Sequence, residues 1–278
     1  MEPGRLWVVS TPIGDLGDLS PRARQVLADV HLIAAEDTRV TRKLLGSLDV
    51  VPPRVVSCHD HNEGHRSAAI IECLQGGQDV ALVSDAGTPL VSDPGFRVVR
   101  AVIEAGLSVI PIPGPSAPIA ALTASGLPTD RFLFAGFPPR QGGKRRTFLE
   151  SCKEEPGTVL IFEAPHRIVA TMRAAEEVLG DRRCCLAISL TKQWERFHRG
   201  RLSEVVNVLV SDPDEVIGEM TLCVEGAAAS PNEDPRAWQV VDALARAGVS
   251  PTVIRDAVAA PLGLKRRMVY QRALKGEE

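Results

Sequence analysis

The chain has 278 residues, of which 44% are hydrophobic and 4% aromatic, and its formal net charge is −3. This hydrophobic content is typical of a folded protein of about two domains and excludes large-scale disorder. The net charge excludes a uniformly basic coat for nucleic acid, and the few aromatic rings disfavour a base-stacking platform for single strands. No apolar run reaches the roughly 18 residues of a membrane span and no signal peptide is apparent, so we expect a cytoplasmic protein with no membrane partner.

The first half of the chain alternates short apolar runs with helical patterns. The predicted strands are 6–10, 30–35, 54–58, 80–83 and 108–112, and the predicted helices are 22–29, 40–48, 64–75, 94–105 and 116–125. This alternation predicts an α/β fold with a parallel sheet and helices on both faces. A polar cluster follows each strand, so we expect one edge of the sheet to collect these clusters.

A second α/β domain is predicted after a linker at residues 126–130. Its predicted strands are 132–136, 158–163, 184–190 and 219–224, and its helices are 144–153 and 166–179. After a further linker at 227–235, three short helices are predicted at 236–247, 251–260 and 264–274. Their order resembles a helix-turn-helix with a basic last helix, and a solvated helical appendage is the alternative. The predicted domains are therefore 1–126, 127–228 and 236–278.

The six cysteines and the paired histidines do not form a recognisable metal site. The cysteines lack Cys-X-X-Cys spacing and are predicted to be buried, reduced thiols. Cys184 and Cys185 are adjacent in a predicted strand and should point to opposite faces of it. His59 and His61 have no third ligand at a characteristic spacing, so we expect no metal. We expect them to hydrogen-bond a substrate instead, with Asn62 capping the next helix.

The segment from Leu82 to Gly95 is the most informative of the chain. The buried strand 80–83 runs directly into small, acidic and turn-forming residues that cannot continue it. Small side chains at Ala86, Gly87 and Thr88 would let a bulky ligand approach the main chain. An ordinary strand-to-helix turn is the alternative interpretation.

Two other segments combine charges that suit a polyanion. Glu36 and Asp37 lie beside the cations Arg39, Arg42 and Lys43, an arrangement that pairs a ligand-orienting acid with phosphate-binding bases. The alternative is that Glu36 or Asp37 caps the helix that follows.

Residues 136–146 are predicted to form a flexible loop with four cations and no acid, which suits a phosphate backbone. A solvated helix N-terminus is the alternative, although Lys and Arg oppose the helix dipole there. These cations are Arg140, Lys144, Arg145 and Arg146, and Arg167 adds another after the strand 158–163. No Walker lysine motif is present and no Gly-X-Gly-X-X-Gly follows the first strand, which disfavours nicotinamide and P-loop nucleotide chemistry.

Taken together, these segments resemble the bacterial ribosomal RNA small-subunit methyltransferase I family of the tetrapyrrole methylase-like superfamily. The resemblance covers essentially the whole chain. It is carried by 10–16, 35–39, His59-Asp60-His61-Asn62-Glu63, 83–95, Pro113-Gly114-Pro115-Ser116-Ala117, 125–128, Ala164-Pro165-His166-Arg167 and Gly218-Glu219-Met220.

The resemblance implies an activity, a cofactor and partners. It implies S-adenosylmethionine as methyl donor, and 2′-O-methylation of a cytidine ribose in the decoding region of 16S rRNA within the small ribosomal subunit. It also implies two α/β domains with the donor site in the cleft between them, a small C-terminal helical domain and a homodimer. No DNA partner is implied.

The candidate site residues come from the resemblance for the donor, and from strand ends and charge for the base and the RNA. The donor-binding candidates are Pro12, Asp85, Ala86, Gly87, Thr88, Val91, Ser116, Ala117 and Glu163. The candidates for the base that activates the ribose hydroxyl are Asp85, Glu36, Asp37 and His59. The RNA-binding candidates are Arg39, Arg42, Lys43, Arg140, Lys144, Arg145, Arg146 and Arg167.

Two other functions stay open, the first because fold alone does not fix the substrate and the second because of one departure from the family pattern. Members usually read Ala-Arg-Glu-Leu-Thr-Lys where this chain has Ala187-Ile188-Ser189-Leu190-Thr191-Lys192. A tetrapyrrole-type methyltransferase with a small-molecule substrate is one alternative, although such a substrate needs neither the basic segment nor a basic tail. A non-catalytic RNA- or ribosome-binding protein is the other, although the intact loop 83–95 argues against it.

Overall fold

The computed structural model describes residues 2–51, 53–228, 235–264 and 266–275. One compact unit comprises residues 2–152 and 158–225. A second comprises residues 153–157 and the described residues from 226 onwards. Among the described residues, no helix combines the length and the apolar character that a membrane span requires.

The first sheet is fully parallel, as predicted. Its strands are β1 (Arg5–Val9), β2 (Leu32–Ala35), β3 (Arg54–Ser57), β4 (Val80–Val83) and β5 (Ser108–Ile112), in the order β3-β2-β4-β1-β5. The helices are α1 (Pro21–Asp29), α2 (Thr38–Ser47), α3 (Glu63–Gln75), α4 (Phe96–Glu104) and α5 (Ala117–Ser125). Separate apolar cores cover the two faces of this sheet. Two buried faces explain why these strands read as continuous apolar runs.

The second sheet is mixed. Its strands are β6 (Phe132–Gly136), β7 (Thr158–Glu163), β8 (Arg183–Ile188), β9 (Arg196–Arg201) and β10 (Met220–Val224), in the order β6-β7-β10-β8-β9. Only β6 and β7 are parallel, and the other pairs are antiparallel. The helices are α6 (Gly142–Ser151), α7 (Pro165–Leu179) and α8 (Leu202–Ser211).

Sequence reasoning missed β9 and α8. β9 is an edge strand rich in arginine, so it lacks the apolar alternation that marks a strand and forms through backbone pairing to β8. α8 contains several valines, which favour strands by propensity. It is nevertheless a helix because Leu202, Val205, Val206 and Leu209 recur at helical spacing and are all buried.

Several predicted boundaries are wrong for local reasons. The strand predicted over 184–190 ends at Ile188, since Ser189 adopts a left-handed φ of 51°. The helix predicted over 94–105 begins only at Phe96, because Gly95 has a φ of 125°. The helix predicted from residue 144 begins at Gly142.

Helix α5 joins the two sheets into one unit. Its residues Ala121 and Leu122 share an apolar core with residues of the second sheet, including Leu160, Cys185 and Cys223. Cys184 lies in the core on the opposite face, so the two adjacent cysteines point to opposite sides as predicted. This packing holds the second sheet against the chain segment that carries Ile13, just beyond β1.

The second unit contains three helices around their own core. They are α9 (Pro235–Arg246), α10 (Pro251–Val258) and α11 (Arg266–Lys275). Asp242 on α9 accepts two hydrogen bonds of 2.7 Å from Arg272 on α11, which fixes their pairing. The predicted helices are therefore present, whereas most of the predicted linker and Lys265 lie outside the described residues.

Candidate active site

The carboxyl ends of the parallel strands meet at one edge of the first sheet. The strand order brings His59 after β3, Glu36 after β2, Asp85 after β4 and Thr11 after β1 to this edge. The polar clusters therefore collect on one side, as the sequence predicts. In open α/β sheets this edge is where ligands bind.

The loop 84–95 is joined to the ends of β1 and β5. Thr11 and Gly87 exchange two backbone hydrogen bonds, of 2.9 and 3.0 Å. Thr88 Oγ1 donates to the Pro115 carbonyl at 2.9 Å, which ties the loop to the segment preceding α5. Gly87 has a φ of 80°, and a Cβ there would lie 3.2 Å from Ile13 Cγ2. The positive φ therefore favours glycine at this position, and a larger residue would also crowd Ile13.

The second half of this loop contains two residues in strained backbone conformations. Leu90 and Ser92 have φ angles of 72° and 68°, a region that costs residues with a Cβ about 1–2 kcal/mol each. Such conformations persist only where the surroundings over-determine them.

Glu63 anchors the end of the loop, a role that sequence reasoning missed. This residue is 3% exposed, and its carboxylate accepts hydrogen bonds from the backbone N–H groups of Gly95 and Arg97 at the start of α4. It thereby caps a helix that begins 33 residues further along the chain. The only sequence signal was its position at the end of the His59–Glu63 motif.

Glu36 and Asp85 form an interlocked pair of carboxylates. The Asp85 N–H donates to Glu36 Oε2 at 3.2 Å, and Asp85 Oδ1 accepts from the Asp37 N–H at 2.9 Å. Burial raises the pKa of Glu36, and nearby acids including Asp93 raise it further. Burial is also the main reason that the pKa of Asp85 is raised. Both groups are therefore better proton acceptors at neutral pH than ordinary carboxylates.

Asp37 caps α2, the role that the sequence left open as an alternative. Its Oδ1 accepts from the Arg39 N–H at 2.8 Å, and its Oδ2 forms an ion pair of 2.6 Å with the Arg39 guanidinium. The side-chain hydrogen bond from Arg39 is the main reason that the pKa of Asp37 falls to about 2. Of the candidate bases with a shifted pKa, Asp37 is thus the least suited to take a proton.

This lowered pKa predicts a contribution of Asp37 to acid stability. The ordinary pKa is 3.8, so the folded state gains stability above that pH and loses it as the pH falls towards 2. We expect the free energy of unfolding to fall more steeply from pH 4 to pH 2 in the unmodified chain than in Asp37→Asn. Urea unfolding at a series of pH values measures both slopes, and equal slopes would contradict the prediction.

His59 is held by Asn62. Asn62 Oδ1 accepts from the His59 N–H at 2.8 Å, and its Nδ2 lies 3.2 Å from His59 Nε2. Asn62 occupies the N-cap position of α3, but its side chain makes no capping hydrogen bond, so that part of the prediction is wrong. His59 Nδ1 is buried without a hydrogen-bond partner. In the described part of the chain, no group of three His, Cys, Asp or Glu residues is placed to hold a metal ion.

The comparisons with known proteins agree with this geometry. Residues 5–206 match the model of the Tetrapyrrole (Corrin/Porphyrin) Methylases. The protein named ribosomal RNA small subunit methyltransferase I of Pseudomonas aeruginosa is 43% identical over 280 residues, which cover 99% of this chain and 98% of that protein.

The chain belongs to the ribosomal RNA small subunit methyltransferase I family.

Solved structures confirm the fold expected for this family. The methyltransferase CobJ is similar with a TM-score of 0.59 and 18% identity, over 81% of this chain and 95% of that one. A uroporphyrin-III C-methyltransferase from Thermus thermophilus, solved with S-adenosylhomocysteine, has a TM-score of 0.51 and 22% identity. That likeness covers 79% of this chain and 97% of the other.

Ile188 and Ser189, where the sequence departs from the expected family pattern, are both buried. Ile188 lies in the apolar core between the second sheet and its helices. Ser189 is 8% exposed, and a Cβ on Gly218 would lie 2.0 Å from its Oγ. A residue larger than glycine at 218 would therefore displace the Ser189 side chain.

The cations of α2 are only partly free to bind a ligand. Arg39 is paired with Asp37, although its side chain remains 87% exposed. Arg42 Nη1 donates to Thr38 Oγ1 at 3.3 Å, and both Arg42 and Lys43 are exposed. These three residues remain candidates for binding RNA.

The predicted flexible loop 136–146 is shorter than expected. Lys144, Arg145 and Arg146 lie in the first turns of α6 rather than in the loop, and only Arg140 precedes the helix. Arg146 forms exposed ion pairs with Glu150 and Glu177 at 3.5 and 3.3 Å. The prediction of a flexible loop is therefore wrong for these three cations, and the alternative of a helix N-terminus is confirmed.

Glu163 and Arg167 form a buried network instead of presenting free side chains. Glu163 has a fully buried side chain that accepts from Thr171 Oγ1 at 2.6 Å and from the Ala164 N–H at 2.8 Å. Its Oε1 lies 3.1 Å from Arg167 Nε, and Arg167 Nη2 donates to the Pro138 carbonyl at 2.5 Å. This network ties the loop before α6 to the end of β7.

Proposed function

We propose that this chain transfers the methyl group of S-adenosylmethionine to the 2′-hydroxyl of a cytidine in the decoding region of 16S rRNA. The substrate is the small ribosomal subunit, and the enzyme acts in the cytoplasm as a homodimer. The observation that carries the proposal is the similarity to the named relatives over nearly the whole chain, together with an intact loop 84–95.

The residues around the loop suit a methyl donor. The first-sheet candidates are Pro12, Asp85, Ala86, Gly87, Thr88, Val91, Ser116 and Ala117, and they lie in or beside the loops at the carboxyl edge of this sheet. Ala86 is exposed, whereas the neighbouring Gly87 is buried and hydrogen-bonded to Thr11 through the backbone. A ligand can therefore reach the main chain at Ala86, while the bonds of Gly87 hold the loop rigid. A bound donor supplies an electrophilic methyl carbon, and a rigid loop favours its alignment with the acceptor oxygen.

Asp85 is our candidate for the base that accepts the hydroxyl proton. It is exposed, its Oδ1 is held by the Asp37 N–H, and its backbone is held by Glu36. The other oxygen, Oδ2, makes no hydrogen bond within the described part of the chain and could accept the hydroxyl proton. Partial burial raises the pKa of Asp85, which makes it a stronger base than an ordinary carboxylate.

A pair of glycine substitutions tests the site. Gly87 and Gly106 both have positive φ, of 80° and 72°, but Gly106 lies in the turn after α4 with nothing within 4 Å of an added Cβ. We expect Gly87→Ala and Gly106→Ala each to lose about 1 kcal/mol of stability from backbone strain. Only Gly87→Ala is expected to weaken binding of S-adenosylmethionine, by at least about tenfold. The displaced loop would then cost about 1.4 kcal/mol of binding free energy, which corresponds to a tenfold change in affinity.

The same variants test the reaction. Small subunits and methyl-labelled donor are incubated with each protein, and the rRNA is digested to nucleosides and analysed by mass spectrometry. We expect label in 2′-O-methylcytidine for the unmodified chain and Gly106→Ala, and a loss for Gly87→Ala. Label in another nucleoside, or none while the donor binds, would contradict the proposed substrate.

A further inference from the structure

A groove between α6 and α7 is lined by positive charge. Its volume is about 640 Å³, and its lining includes Gly142, Gly143, Arg145, Arg146, His166 and Arg173. The cations come from two different helices, so the tertiary packing brings them together. Sequence reasoning singled out the α6 arginines but not Arg173.

The spacing of α7 explains its side of the groove. His166 and Arg173 are seven residues apart and therefore share one face of the helix. Ala170 and Ala174 lie on the same face between and beside them, and their small side chains leave the space open. Both His166 and Arg173 are exposed.

Helix α6 presents an unbalanced positive end to this groove. Its first turn contains no acidic residue, and the N-cap residue Gln141 makes no capping hydrogen bond with its side chain. Lys144 and Arg145 add charge where the helix dipole is already positive. An anion at this end would accept hydrogen bonds from the uncapped backbone amides and would reduce the repulsion between these positive charges.

Two details indicate where an anion would bind. Arg145 Nε is buried and has no hydrogen-bond partner, and a buried donor without an acceptor costs about 1–3 kcal/mol. Glu177, the acid that lines the groove, is already paired with Arg146 at 3.3 Å. The remaining cations, Arg145 and Arg173, therefore lack a carboxylate in the groove and match the bidentate geometry of a phosphate.

We infer that this groove binds a phosphate group of the RNA backbone, with Arg145 and Arg173 as its main contacts. The inference rests on the proposed function and specifies where the RNA lies. The groove is close to the donor loop: a Cβ on Gly136 would lie 3.4 Å from Ser92 Oγ, and only residues 137–141 separate β6 from α6. The six Cα–Cα steps from Gly136 to Gly142 span roughly 20 Å at most, which is within reach of neighbouring nucleotides.

The test is the salt dependence of RNA binding, measured by fluorescence anisotropy with a short, labelled single-stranded RNA. Each phosphate contact with a single strand contributes about 0.7 to the slope of log K against log salt. We expect Arg145→Gln and Arg173→Gln each to reduce the slope by about 0.7, and the double variant by about 1.4. Arg22→Gln, an exposed position on α1, is the matched control and should leave the slope unchanged.

Titration with S-adenosylmethionine shows that each variant is folded, and Arg173 is exposed, so its replacement leaves the core intact. If the unmodified chain binds RNA and the slope is unchanged in both variants, the groove does not bind an RNA phosphate, and the proposed function is unaffected. An unmodified chain that binds no RNA would overturn the groove, whereas the labelling of small subunits described above decides the proposed function. Preference for a polyglutamate peptide over RNA at the same ionic strength would overturn the assignment to phosphate.

Discussion

Replacement of Glu63 with alanine is expected to lower the free energy of unfolding by about 3 kcal/mol and to weaken binding of S-adenosylmethionine. The buried carboxylate accepts from the N–H groups of Gly95 and Arg97, and hydrogen bonds to charged groups contribute about 1.5–3 kcal/mol each. Loss of this anchor releases Gly95, the end of the loop that contains the strained residues Leu90 and Ser92. Urea unfolding measures the first effect and calorimetric titration with the donor measures the second.

Two variants make this experiment specific. Glu72→Ala changes an exposed glutamate of the same helix and should leave both quantities close to those of the unmodified chain. Glu63→Gln keeps one acceptor oxygen and should lose about half as much stability as Glu63→Ala. If Glu63→Ala lost stability but bound the donor with unchanged affinity, Glu63 would stabilise α4 without positioning the loop.

Replacement of Glu163 with alanine is expected to cost about 4 kcal/mol, since breaking a buried ion pair leaves its partner uncompensated. The Glu163 side chain is fully buried and that of Arg167 is 15% exposed. Thr171 Oγ1 and the Ala164 N–H would lose their acceptor as well. Thermal and urea unfolding of the variant measure the loss.

A double substitution distinguishes a positioning role from a contact with the donor. In Glu163→Ala/Arg167→Leu no buried charge is left unpaired, so this variant should be more stable than Glu163→Ala alone. Both variants should bind RNA more weakly, because the Arg167 bond to the Pro138 carbonyl loses its support in Glu163→Ala and is absent from the double variant. Unchanged stability of Glu163→Ala with lost donor affinity would instead indicate that Glu163 contacts the donor directly.

The strand bounds in both sheets show what can be predicted from local sequence patterns. The predicted bounds 80–83, 108–112, 132–136 and 158–163 agree with the observed strands. Apolar runs bounded by proline, glycine and acidic residues mark such strands wherever both faces are buried. Because parallel strands share one carboxyl edge, the residues that follow them were grouped correctly without any knowledge of the strand order.

The sequence by itself thus determined the α/β class, the parallel first sheet, the edge that carries the site and the family. Only the tertiary structure decided which partner each side chain has. Glu63 caps a helix 33 residues away, Arg146 pairs with Glu177 and β9 forms against β8. Periodicity and turn signals report interactions within a few residues. Contacts between distant segments depend on how the elements pack, and no local pattern encodes them.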